Sequence, residues 1–295
     1  MKKIIALLVI SCFILPQLAF AGAWTLPKNG VWADYSIKGT WAKSSFWADR
    51  ESHRLPRNAR TWGWSMTPNI EYGVTDWFTV LAKMEYKEAK YKEYSRPPAW
   101  GPFSVKNHGL TEVQVGGKVR FLKDPFVLSG QIKGLIDTGY NDDLRQPGLS
   151  DRNNALELKG LVGKVFNVPL PWYVGAETGY RFNNKQLCNY VPFFLEGGFW
   201  PVRWLNIKNE IDGVLCHDGT GNIEKEWATW RIGPVIQLYT IYHIMKGVDV
   251  TSKEFTSDVT KAGKSFNLEV YYGNTIWGRN VNDEQEVILK ISGQF

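Results

Sequence analysis

The sequence predicts an all-β chain, a transmembrane antiparallel up-and-down β-barrel of about twelve strands, and three observations carry that expectation. Apolar and polar residues alternate with a period of two from Val31 to Phe295. The alternating stretches run about ten to twelve residues, the length a tilted strand needs to cross a bilayer and roughly twice that of a soluble strand. Short turns alternate with long polar loops, which is how outer-membrane barrels are connected.

In VWADYSIKGTW, Val31, Ala33, Tyr35, Ile37 and Trp41 share one face, and Asp34, Ser36, Lys38 and Thr40 the other. TWGWSMTPNIEYG sets Trp62, Trp64, Met66, Ile70 and Tyr72 against Thr61, Ser65, Thr67, Asn69 and Glu71. After the turn GVTD, WFTVLAKMEYK sets Phe78, Val80, Ala82, Met84 and Tyr86 against Thr79, Lys83, Glu85 and Lys87. The pattern recurs near 110–121, 126–137, 155–166, 172–182, 190–200, 204–214, 227–238, 265–276 and 285–295. Short turns fall near 73–76, 122–125, 167–171 and 201–203; long loops fall near 42–59, 88–108, 138–154, 183–189 and 215–226. Residues 240–264 are long yet lie on the short-turn side, so a periplasmic insertion, helix or flap, is expected there.

A soluble sandwich also alternates, so the aromatic positions decide. On the apolar parity Tyr72, Phe78, Phe121, Phe126, Trp172, Phe199, Phe266 and Phe295 fall at the short-turn ends. Trp41, Trp62, Trp64, Tyr86, Tyr180, Phe182 and Trp230 fall toward the long loops. Two rings of amphipathic side chains with aliphatics between them are what bilayer interfaces select.

The front of the chain gives an address. Lys2 and Lys3, the run IIALLVISCFIL and then Ala19-Phe20-Ala21 read as a secretory signal peptide, residues 1–21, cleaved after Ala21. The run is too short for a membrane span. VISC as a lipobox with Cys12 acylated fits less well, because the apolar run continues past it. Residues 22–30 are then a periplasmic lead-in, and 31–295 a barrel in the outer membrane of a Gram-negative bacterium. Closure requires the last strand to be paired on both edges, and a final strand ending in Phe295 resembles the signal by which such barrels meet their assembly machinery. The formal charge of +6 includes the two leading lysines, which argues against a nucleic-acid partner. Outer-membrane lipids and lipopolysaccharide are the expected surroundings. The first long loop, with Lys43, Arg50, Arg54, Arg57 and Arg60 among Asp49 and Glu51, either touches that anionic surface or is simply solvated. Cys188 and Cys216 in an oxidising compartment form a disulfide or remain two separate thiols.

Parity assigns the lumen a dense, nearly balanced set of charges. The bases are Lys38, Lys83, Lys87, Lys118, Arg120, Lys133, Lys159, Arg181, Lys208, Arg231 and Lys290. The acids are Asp34, Glu71, Glu85, Glu112, Asp137, Glu157, Glu177, Glu196, Glu210, Asp212, Glu269 and Glu286. Two readings follow: a water-filled conduit in which opposed charge ladders orient a permeant, or a salt-bridged plug. Twelve strands sit between filled eight-stranded barrels and open porins, and the sequence favours a narrow channel with weak ion selectivity. An adhesive surface barrel is the alternative. Chemistry finds little support: the histidines, His53, His108, His217 and His243, are not read as mid-strand, which leaves only a hydrolase using extracellular loops. No cysteine–histidine set has zinc spacing, and neither a metal nor a cofactor is expected.

The stretches EYGVTDWFTV, GLTEVQVGGKVRF, IKGLIDTG, RNNALELKGLVGKVF, VGAETGYRF and VPFFLEGGF occur in order along the chain. Together they resemble a family of small bacterial outer-membrane barrels of porin type, linked by name to meta-pathway phenol degradation. The resemblance implies a barrel that passes small molecules.

Overall fold

The computed structural model describes residues 22–95, 101, 103–139, 147–150, 153–166, 170–184, 188–217, 224–246, 248 and 264–295. The expected signal peptide and most of the 240–264 insertion lie outside the described residues.

Period-two segments give strands because successive side chains leave a pleated backbone on opposite faces. The barrel strands are β1 (Val31–Phe46), β3 (Arg60–Thr75), β4 (Phe78–Glu93), β5 (Phe103–Leu122), β6 (Val127–Asp137), β7 (Ala155–Phe166), β8 (Trp172–Asn183), β9 (Asn189–Val202), β10 (Leu205–His217), β11 (Glu226–Gln237), β12 (Ser265–Arg279) and β13 (Val281–Gln294). A short β2 (Ser52–Arg54) in the first long loop pairs with the end of β1. Consecutive barrel strands pair antiparallel, and β13 returns to β1, closing a twelve-stranded ring. At the seam Val31 N–H donates to Phe295 O at 3.0 Å and Phe295 N–H to Val31 O at 2.8 Å. The terminal residue is held in the ladder, so no free edge remains there.

The interior is polar and the exterior apolar. Thr79, Ser129, Glu157, Lys118 and Ser292 are among the least exposed side chains, while Ile70, Met84, Ile132, Leu195, Ile276 and Leu289 are exposed around the outside. Trp41 pairs directly across from Trp62, Trp64 packs its ring 5.6 Å from Tyr86, and Lys90 Nζ sits 5.1 Å over the Trp62 ring. Trp230 lies opposite Ile211, on the outward face of β11. At the other end Trp172 stacks on Phe166 with centroids 4.0 Å apart, Phe78 packs beside Gly117, Tyr72 donates to Asn29 Oδ1 at 3.1 Å, and Phe295 is exposed.

The barrel strands run from 11 residues in β6 to 20 in β5: β6, β7, β8 and β11 keep the expected ten to twelve, and the others are longer. Residues 88–93 and 103–108, read as loop because of their charges, extend the β4–β5 hairpin, with Glu93 opposite Phe103. Opposite charges on paired strands support such an extension in water; Lys106 Nζ reaches Glu88 Oε2 at 2.7 Å. Likewise β12 and β13 are joined through Asn280 alone, at φ 54°, a left-handed conformation that asparagine tolerates. His108 and His217, expected in loops, are strand residues of β5 and β10. Of the insertion, α1 (Leu238–Met245) follows β11 directly on the short-turn side. Cys188 and Cys216 are joined as a disulfide with Cα atoms 5.8 Å apart, packed with Tyr190, Val214 and Trp227 at the long-loop end.

Candidate functional site

The candidate site is the barrel lumen. One bulge matters to its geometry: Glu85 pairs with Glu112 but Tyr86 pairs with Leu110, so Thr111 is the extra residue. Its hydroxyl donates to Glu85 O at 3.1 Å, and Glu112 to Arg120 keep their charged members on the luminal parity. Lys83 lies in register with Asn69 and Gln114, and Arg120 with Ser129. Gln114 donates to Glu112.

The predicted luminal charges gather into mixed-sign networks along the wall, not into two opposed ladders. On β6, β7 and β8, Glu157 is fully buried and takes Lys133 at 2.8 Å, Lys159 at 3.4 Å and Arg181 at 2.7 Å. Lys159 also reaches Glu177 at 3.4 Å. Further round the ring, Lys208 stands between Glu196 at 3.0 Å and Glu210 at 2.7 Å. Arg231 bridges Asp212 and Glu286, and Lys38 reaches Glu286 at 3.6 Å. Lys290 meets Glu269 at 3.5 Å, which also accepts from Ser292 and Tyr271. Near the short-turn end Lys118 meets Glu71 at 3.2 Å. These arrangements follow from register: acids and bases sit on neighbouring strands at nearly the same height, as Glu157 opposite Lys133 and Arg181. Desolvated charges hold such positions only when paired.

Sequence reasoning misses the most consequential occupant of the lumen. The lead-in, residues 22–30, does not hang below the barrel but turns into it. Pro27 lies against Gly73 of β3, where a Cβ would overlap the Pro27 carbonyl. Leu26 N–H donates to Thr79 Oγ1 of β4 at 2.9 Å, and Thr25 Oγ1 to Asp76 O at 2.8 Å. Ser129 of β6 donates to Ala23 O. Ala23 is buried with Val127 and Leu161, with Trp24 packed on them. The Trp24 indole occupies the space over Gly163 of β7 that any Cβ would fill. Lys118 Nζ donates to Gly22 O at 2.9 Å. The segment thus starts at β1 and reaches residues on the far side of the ring. The sequence carries a signal for this: Ala23, Trp24 and Leu26 are apolar residues in a stretch that reads as a periplasmic lead-in, and Gly163 and Gly175 leave gaps on the luminal parity.

Aromatic rings also face inward, which the two-girdle reading does not anticipate. Tyr173, Tyr190, Tyr271, Trp200 and Trp32 are buried, with Tyr173 and Trp200 rings 5.5 Å apart. Toward the long loops the lumen opens into a cavity of about 650 Å³. Its wall combines Lys38, Arg181 and Arg231 with Glu85, Glu112 and Glu286, and adds Trp47, Tyr190 and Trp227. The first long loop folds over its rim: Arg50 meets Glu226 at 2.8 Å, and Ser44 and Ser52 both donate to Asp283. Such a wall offers a small molecule both hydrogen-bonding charges and ring faces.

Outside the lumen, Asp49, Glu51 and His53 bring three ligand atoms within 4.8 Å of one another at the loop surface. The Glu51 backbone N–H, and after it the His53 ring at 3.0 Å, hold the Asp49 carboxyl below its usual range. Asp49 and Glu51 are exposed, so the cluster works as a hydrogen-bonded turn.

No family model matches the chain, and no curated protein matches its sequence. Among solved structures, the COG4313 outer membrane channel from Pseudomonas putida F1 is similar over 95% of this chain and 100% of its own, with TM-score 0.63 and 13% identity. The β domain of the Bordetella autotransporter BrkA matches over 91% and 99% at TM-score 0.43 and 10% identity. A Pseudomonas aeruginosa FadL homologue matches over 95% and 96% at TM-score 0.40 and 8% identity. The P. putida structure shares with this chain the fold of a closed barrel, along essentially its whole length.

Proposed function

We propose that the protein is a channel of the Gram-negative outer membrane through which a small solute diffuses passively. The observation that carries this reading is the polar, charge-lined cavity of about 650 Å³ inside a closed barrel belted by exposed aliphatics. An apolar belt that wide is a liability in water and an asset in lipid. The likeness to a solved outer-membrane channel supports it at the level of fold. In this reading the short turns and α1 face the periplasm, the long loops face outward toward lipopolysaccharide, and the aromatic rings Trp41, Trp62, Trp64 and Trp230, then Tyr72, Phe78, Trp172 and Phe295, mark the two interfaces. Phe295 is the contact for the assembly machinery, and residues 1–21 direct export. The permeant fits as a compact solute with polar groups for Lys38, Arg181, Arg231 and Glu286 and an apolar side for Trp227.

Chain purified from outer membranes and placed in a planar bilayer should give small, discrete conductance steps. Because acids and bases are paired on the wall, the reversal potential under a salt gradient should lie near zero. A second reading, a closed barrel acting at the cell surface, is favoured by the segment filling the short-turn half of the lumen. Silence in the bilayer together with intact folding would select it.

A further inference from the structure

The inner end of the lead-in lies against carboxylates that share their described cations. Gly22 sits against two carboxylates from the side of the ring opposite β1: a substituent on its α-carbon would lie 3.3 Å from Glu196 Oε1 of β9 and 3.5 Å from Glu177 Oε1 of β8. Among the described residues, neither acid has a lysine to itself. Glu196 shares Lys208 with Glu210, and Glu177 shares Lys159 with Glu157 at equal distances of 3.4 Å. Glu196 is also given room to approach, since a Cβ on Gly175 would stand 3.0 Å from its side chain. The Gly22 carbonyl, by contrast, is turned to a base, Lys118 Nζ at 2.9 Å. One residue therefore presents its carbonyl to a cation and its α-carbon to two anions.

We propose that Glu177 and Glu196 form a binding site for the α-ammonium group of Gly22, and that export processing creates the cation that locks the lead-in inside the barrel. The inference rests on cleavage after Ala21. Hydrolysis of the Ala21–Gly22 bond leaves the new carboxylate on the departing peptide and the amine, protonated, on Gly22. Before cleavage the same nitrogen is a neutral amide and offers the two acids no charge. A desolvated carboxylate without a full counter-ion is costly, so the processed chain gains from insertion what the precursor cannot. The three glycines at positions 73, 163 and 175 shape the seat; the ammonium holds its end.

The test is amine labelling of processed protein purified from outer membranes, read by mass spectrometry of the N-terminal peptide. Ion pairing keeps the amine protonated and the wall shields it, so acylation at neutral pH should be slowed about ten-fold or more relative to the denatured chain. Glu177→Gln with Glu196→Gln should abolish that protection while the heat-modifiable gel mobility of the barrel persists. Should the double variant fail to fold, a processed chain with one alanine inserted ahead of Gly22 moves the amine past the acids and should also lose protection. Labelling of the native chain at the denatured rate would falsify the site, and so would protection that survives in either variant. The readout needs no ion flow, so a barrel silent in the bilayer overturns the channel reading and leaves this one standing.

Discussion

The two halves of the lumen are built from the same strands and the same alternating residues, yet they differ in what fills them. Toward the long loops, charges line a cavity of about 650 Å³. Toward the short turns, Ala23, Trp24 and Leu26 enter a wall that supplies Val127, Leu161 and bare glycines as well as charges. The difference teaches that bore is not set by strand number alone. Twelve strands enclose enough space for either a channel or a packed interior, and the segment preceding the first strand decides which half is which.

The strongest way to break the comparison is to make the halves alike. Removing residues 22–29 so that the chain begins at Gly30 should raise single-channel conductance by about ten-fold or more, because the narrowest section dominates the resistance. Unchanged steps would show that the constriction lies elsewhere. Next in size is Glu157→Gln, which leaves Lys133, Lys159 and Arg181 around a neutral amide. Stripping a buried network of its anion costs about 3–5 kcal/mol, readable as a lower urea midpoint for loss of the folded gel band. The reversal potential should also move toward anion preference. Gly163→Leu then sharpens the comparison, since its side chain takes the seat of the Trp24 ring. Conductance should rise by less than the deletion gives, with stability nearly unchanged, because the barrel ladder is untouched. The smallest effect belongs to Cys188→Ser with Cys216→Ser. Chain entropy over a separation of 28 residues allows up to about 3.6 kcal/mol, but β9 and β10 already hold Tyr190 opposite Cys216, so thermal unfolding should shift only slightly and conductance not at all.

Much of this was legible in the sequence because a barrel wall obeys one simple rule. Lys133, Glu157 and Arg181 could be placed on the luminal face from parity alone, and their meeting follows from hairpin register. Strand ends were less legible: Glu88 to Glu93 carry the charges of a loop, and only pairing with 103–108 makes them a strand. The lead-in was illegible to any periodicity, since Gly22 to Gly30 is too short to repeat and its hydrogen bonds run to distant residues such as Thr79 and Ser129. Long-range docking of an irregular segment leaves a compositional trace, here apolar residues facing glycines, but no pattern.

The seam between Val31 and Phe295 has a further meaning. Their backbones exchange hydrogen bonds at 3.0 and 2.8 Å, so the two ends of the wall are neighbours in the same ladder as every other pair. A ring of this kind has no privileged first strand. A short linker across the seam and a new opening in a long loop would give a permuted barrel with the same register. Such a permutant would part what nature has joined, the wall and its inward arm, and supply the arm as a separate peptide whose affinity could be weighed directly.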